Sequence, residues 1–223
     1  MARKIMIAVV SIILFLLLFV FSERAYFFIS FLIIGLIMLP FFIRFEKRSI
    51  SAREVVLLAM FIAVAAVSRI PFAALPSIQP TSFIIIMVGI GFGAETGFIV
   101  GAVSALVSNL VLGQGPWTPW QMFAWGLMGM TAGIMSHYLQ QRWQRLLFGF
   151  IWGFLFGWTM NLWVLTTQID NLTLELIIGI YAASFVHDFS HALSNVVLLF
   201  IFSSSFLMIF KRLKRKYGVL VNK

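Results

Sequence analysis

The chain has 223 residues, 62% of them hydrophobic and 10% charged, with a mean hydropathy of +1.05; that is more apolar surface than one soluble core can hide. Apolar runs able to cross ~30 Å of hydrocarbon recur along the whole length, which excludes a soluble domain with a single anchor and leaves an all-α polytopic membrane protein. The net charge of +9 does not signal nucleic acid, because the cations gather at Arg3-Lys4, from Arg44 to Arg53, at Arg142 and Arg145, and from Lys211 to Lys216, each beside the end of an apolar run.

The first run, Ile5 to Phe21, follows Arg3-Lys4 as a signal peptide would. It is long for an h-region and no small-x-small cleavage site follows, so it reads as a retained span. With Tyr26 to Ile43 it forms a hairpin, residues 1–48, ahead of a six-span core with a basic tail, residues 49–223. The core spans are Val55 to Ile70, Ser82 to Phe92, Thr96 to Leu112, Trp120 to Ser136, Leu146 to Thr167, and a run from Leu174 to Phe210. The Ser82 span is short for a crossing and is expected to begin earlier, near Ile78. The last run would extend ~55 Å as one straight helix, longer than a bilayer crossing. It should break or lie partly outside, and a break is expected near His187-Asp188.

Alternate connections differ in charge. The N-terminus, Arg44 to Arg53, His137 to Arg145 and the C-terminal KRLKRK are basic; SERA, RIPFAALPSIQPT, GQGPWTPWQ and QIDNLTLE carry almost no Lys or Arg. The positive-inside rule puts both termini in the cytoplasm and the second set outside. Small residues recur every four positions at Gly89, Gly93, Gly97, Gly101 and Ala105, at Gly149, Gly153 and Gly157, and at Ala59 and Ala63 with Ala66 nearby. Such ridges let helix backbones approach closely inside a membrane. Internal packing is expected for the glycines and competes with docking of a partner for the alanines.

Polar groups within this greasy chain need partners or a cavity. In HDFSHALSN, Asp188, His191 and Asn195 fall on one helical face, which is expected to point inward; His187 adjoins them. A metal site or hydrolase built on His187, Asp188 and His191 lacks further ligands, for His137 is predicted on the opposite side and no HExxH is present. Arg69 ends the third span beside a proline-bounded loop, either as an interfacial cation or as a ligand contact. Glu95 precedes a helix start, where an acid suits the macrodipole. Asn109 and Asn161 lie near the outer ends of apolar helices. In GQGPWTPWQM, Gly113 and Gly115 free the backbone and Pro116 and Pro119 fix it, so that Trp117 and Trp120 with Gln114 and Gln121 would form an amphipathic rim. The absence of cysteine excludes disulfides and thiol chemistry. No GxxxxGK[ST] loop, serine elbow or cofactor fingerprint is present.

The segments AREVVLLAMFIAVAAVSR, IQPTSFIIIMVGIGFGAETGFIVGAVSALVSN, GQGPWTPWQMFAWGLMGMTAG and HDFSHALSN resemble the substrate-binding S component of energy-coupling factor (ECF) vitamin transporters, over roughly Ala52 to Phe210. Within that family GQGPWTPWQM is most similar to the predicted cobalamin-type members. The resemblance implies a six-helix core in a prokaryotic plasma membrane that binds a vitamin at the outer face. It also implies association with a module of one transmembrane scaffold protein and two ATPases. ATP would be used by those partners, and this chain would bind no cofactor and catalyse no reaction. The family's AxxxA docking motif matches Ala59 and Ala63. The substrate expected is cobalamin or a related corrinoid, on Arg69, Asn109, Gln114, Trp117, Trp120, Gln121, Asn161, His187, Asp188, His191 and Asn195. Alternatives are another vitamin or precursor, an intramembrane hydrolase, and a passive assembly protein packed through its glycine ridges. The N-terminal hairpin lies beyond what the resemblance explains.

Overall fold

The computed structural model describes residues 26–46 and 51–217. The expected first span, Ile5 to Phe21, lies outside them, as do Arg3-Lys4 and part of the basic Arg44 to Arg53 segment. The described residues form seven α-helices and no strand: α1 (Tyr26–Glu46), α2 (Ala52–Ser68), α3 (Pro80–Phe92), α4 (Ala94–Leu112), α5 (Thr118–Ile134), α6 (Arg142–Thr166) and α7 (Leu174–Tyr217). Four of these are long and apolar enough to cross a membrane, counting α2 through to Phe72, and α3 is a shorter apolar helix.

Local sequence sets the helix ends. Ser51 caps α2 by accepting from the Glu54 backbone N–H, while the Glu54 carboxylate accepts from the Ser51 N–H, a reciprocal capping box. Pro80 and Pro119 lie in the first turns of α3 and α5, where a missing N–H costs nothing. Gly93 (φ 93°) and Gly113 (φ 106°) close α3 and α4 in conformations that side chains disfavour. Glu95 sits in the first turn of α4, as expected from the helix dipole.

Short as it is, α3 is the axis of the bundle. It begins at Pro80, two residues after the expected start near Ile78, and every residue from Pro80 to Phe92 except Ile90 is buried. Helices α2, α4, α5 and α7 surround it. A helix apolar on all sides fits only in such a position. The glycine stripes bring its neighbours close: a methyl group at Gly89 or Gly97 would overlap the Gly129 carbonyl, and one at Gly101 would overlap the Trp125 carbonyl. On the other side of the bundle, Gly149 meets Leu199, Gly153 meets the Ala192 backbone and Gly157 meets the Asp188 carboxyl. Both glycine series are thus internal seams, α3 and α4 with α5, and α6 with α7.

One expectation is corrected. No break occurs near His187-Asp188; α7 is a single helix of 44 residues, ~66 Å long at 1.5 Å per residue. The HDFSHALSN segment has no proline or glycine, and its inward face is held by hydrogen bonds to neighbouring helices, so nothing interrupts the helix. Its surplus length lies at its ends, where Leu174, Ile178 and Gly179 are exposed and the basic residues Lys211 to Lys216 follow. Helix α1 packs on α4, α5 and α6, burying Ile34 and Met38 against Phe98, Ile99, Ala102 and Trp120.

Candidate functional site

Three connections, residues 69–79, 113–117 and 167–173, share the end of the bundle opposite Arg53, Arg145 and Lys214. The 69–79 connection is a 3-10 turn, Ile70–Phe72, followed by bends through Ser77, which takes a positive φ of 53°. With Leu112 it forms an open cleft of about 430 Å³ lined by Arg69, Gln79, Phe72, Leu75 and Ile78 among others.

Arg69 is the polar centre of this end, only 8% exposed. Its Nε donates to Gln79 Oε1 at 3.3 Å, and its Nη1 donates to Ser108 Oγ and, at 3.0 Å, to Asn109 Oδ1. Its guanidinium carbon lies 4.7 Å from the Trp125 ring centroid, a favourable cation–π arrangement. Asn109 is in turn fixed from behind. Its amide nitrogen donates to Thr118 Oγ1 at 3.0 Å and to Gln121 Oε1 at 2.8 Å, so all its hydrogen-bonding capacity on that nitrogen is used. The chain Gln121 and Thr118, Asn109, Arg69 therefore aims one cation from three helices.

Beneath Arg69 runs a second set of contacts. Trp125 Nε1 donates to Ser82 Oγ at 2.9 Å, and the same hydroxyl pairs with His191 Nε2 at 2.7 Å. The Phe156 ring lies 4.6 Å from Trp125 and 5.0 Å, edge to face, from His191. Ser194 Oγ accepts from the Gln79 N–H at 3.5 Å, tying the 69–79 connection to α7. Two of the expected residues on α7 thus reach different destinations. His191 joins the floor under Arg69, whereas Asn195 donates to the Gly149 carbonyl at 3.0 Å and joins α6 to α7.

Asp188, His191 and Asn195 all face inward, 4%, 2% and 0% exposed, as their spacing predicts. His187, one position off that face, is exposed. Asn161 Nδ2 donates to Ser184 Oγ at 2.8 Å and Ser184 donates to Asp188 Oδ2 at 2.9 Å, a second polar cluster between α6 and α7. Gln114 is turned back on its own loop, donating to the Leu106 carbonyl and accepting from Thr118. Trp117 is half-buried, 6.0 Å from Trp163 and covering Gly115. Trp120 belongs to the apolar cluster facing α1. Among the described residues no group of three His, Asp or Glu side chains could hold a metal ion. Ala59 and Ala63 lie on the exposed face of α2, while Ala65 and Ala66 turn into the core.

Sequence reasoning passed over Ser82, Ser108, Thr118, Trp125 and Ser184. All are small hydroxyls or an indole inside apolar runs, where spacing alone does not single them out. A usable signal was there for Trp125, seven positions after Thr118 and so on the same face of α5.

A UPF0397 protein of Vibrio atlanticus is 27% identical over 100 residues, 43% of this chain and 54% of that protein, so the match spans about half of the relative's length. No solved structure matches the chain. The family model for the ECF-type riboflavin transporter S component matches residues 49–211, which includes every helix from α2 to α6 and most of α7. The chain belongs to the ECF-type riboflavin transporter S component family, and is a multi-pass membrane protein.

Proposed function

We propose that this S component binds a heterocyclic vitamin or vitamin precursor of about the size of riboflavin in the cleft that residues 69–79 form with Leu112. The observation that carries the reading is the pre-aimed Arg69 on the wall of a 430 Å³ cleft that sets polar groups beside the apolar side chains of Phe72, Leu75, Ile78 and Leu112. Sites for small ligands have this character, with volumes of roughly 300–1,000 Å³, apolar walls and a few fixed polar anchors. That end faces outward, since Arg142 and Lys211 to Lys216 belong to the opposite one. The bound vitamin passes inward through a module of a scaffold protein and two ATPases, docked on the exposed Ala59 and Ala63 face.

A corrinoid is the second reading. Trp117 is half-buried at the same end, and Gln121 Nε2 has no protein acceptor among the described residues, so an indole and an amide remain for a larger amide-edged ring. Such a ligand would require the 69–79 connection to swing away. Calorimetry on the purified protein with riboflavin, pantothenate, thiamine and cobalamin, alongside mass spectrometry of copurified small molecules, tests both. Tight binding of a smaller vitamin is expected. Binding of cobalamin alone would establish the corrinoid reading, and a folded protein that retains no small molecule would overturn vitamin capture altogether.

A further inference from the structure

Arg69 is buried without a counter-anion. Its three hydrogen-bond acceptors, from Gln79, Ser108 and Asn109, are all neutral, and among the described residues no carboxylate forms an ion pair with it. Taking a charge out of water is costly unless an opposite charge or a full set of hydrogen bonds replaces the lost hydration. The Trp125 face recovers part of that cost. The set is also incomplete: Nη2 has no acceptor among the described residues, yet it is not among the fully enclosed unbonded atoms, and the side chain lines the cleft. Asn109 cannot turn to serve it, because its own amide is held by Thr118 and Gln121.

From this geometry we infer that the missing partner is the substrate, and that the substrate carries an anionic oxygen group, a carboxylate or a phosphate, which Arg69 receives through Nη2. The inference rests on the cavity being the substrate site and narrows the class of compound it takes. A guanidinium aimed by fixed neutral amides, with a free N–H beside an open volume, is a receptor for a planar or tetrahedral oxyanion. The hydrocarbon walls from Phe72, Leu75, Ile78 and Leu112 would hold the apolar body of the same molecule. An isolated polar wall would instead leave the cation unpaired in the loaded state as well.

The test compares ligands that differ only in charge. Purified protein in detergent is titrated with benzoate and with benzamide, read by tryptophan emission, since an anion at Arg69 alters the field on Trp125. Calorimetry is run in parallel with riboflavin and riboflavin 5′-phosphate. The expected result is a preference for the anionic member of each pair of roughly 10- to 100-fold, the value of one charge-assisted hydrogen bond. R69Q should abolish the preference and R69K should retain much of it. Equal responses to benzoate and benzamide in the wild-type protein overturn the inference, whether or not the variants fold. If a vitamin binds tightly while the two probes act alike, the anionic substrate is refuted and vitamin capture stands. If benzoate is preferred and no vitamin binds, the anion site stands and the vitamin reading falls.

Discussion

Small residues four apart occur on α4, at Gly97, Gly101 and Ala105, and on α2, at Ala59 and Ala63, and the two stripes finish in opposite surroundings. The α4 stripe is buried, with Gly97 against the Gly129 carbonyl and Gly101 against the Trp125 carbonyl. The α2 stripe is exposed, flanked by exposed Val55, Val56, Met60, Val64 and Val67. In a bilayer such a ridge gains from close backbone approach and not from hydrophobic exclusion. The same spacing therefore states only that a backbone can come near. Whether one has done so depends on the partner: α5 brings its own Gly126, Gly129 and Gly133 to meet α4, while nothing within the described chain meets Ala59 and Ala63.

The largest effect should come from filling the closed stripe. In Gly97→Leu the new side chain meets the Gly129 carbonyl and the Gly89 Cα. These are backbone atoms of two other helices, so no rotamer change relieves the overlap. We expect a loss at or above about 3 kcal/mol, the upper end for overpacking, seen as a collapse in monodisperse yield and in the thermal transition of the detergent-solubilised protein. Wild-type stability in this variant would mean that α4 and α5 are not in backbone contact, and the contrast with α2 would disappear.

The α6–α7 seam is intermediate, because at Gly149 and Gly157 it is closed by side chains, Leu199 and Asp188. A methyl group in Gly157→Ala would displace the Asp188 carboxyl, which can swing aside at the expense of its bond from Ser184. The expected loss is about 1.5 to 3 kcal/mol, as for a hydrogen bond to a charged group. Adding S184A to it should cost less than S184A costs alone, since both changes remove the Ser184–Asp188 bond while only S184A deprives Asn161 of its acceptor. Full additivity in thermal unfolding would show that Gly157 acts through the backbone after all, and would move this seam into the same class as α4.

How much of this was legible in the sequence differs between the helices and the site. The spans of the core, the two glycine seams and the inward set Asp188, His191 and Asn195 follow from hydropathy and from spacings of three and four, which a helix converts directly into shared faces. The unbroken α7 did not, because length against bilayer thickness argues for a break or for projecting ends, and only the packing of HDFSHALSN selects the second. Asn109 was recognisable as a polar residue in need of a partner. That its partner is Arg69, forty positions earlier and reached across two helices, is a tertiary fact. Gln114 and Trp120 sit in the same short segment as Gln121 and Trp117, yet one bonds back to Leu106 and the other packs toward α1. A turn of one or two residues decides such directions, and composition does not encode it.

The smallest effect on the isolated chain should come from the open stripe, and there the absence of a stability change is the informative result. In Ala63→Trp the indole projects from the exposed face of α2, with no helix of the described residues to displace, so yield, thermal transition and vitamin binding should match the wild-type protein within about 0.5 kcal/mol, as for most surface substitutions. The groove between Ala59 and Ala63 is nonetheless filled, so a partner helix that relies on close approach can no longer seat. Co-purification with the scaffold protein and ATPases should fail, and uptake with it. A conservative control, Ala63→Gly, keeps the groove and should preserve both. Were Ala63→Trp to unfold the isolated protein, the α2 stripe would be an internal seam like that of α4. Were it to leave both folding and module association intact, the small residues would be incidental and the module would have to grip another face.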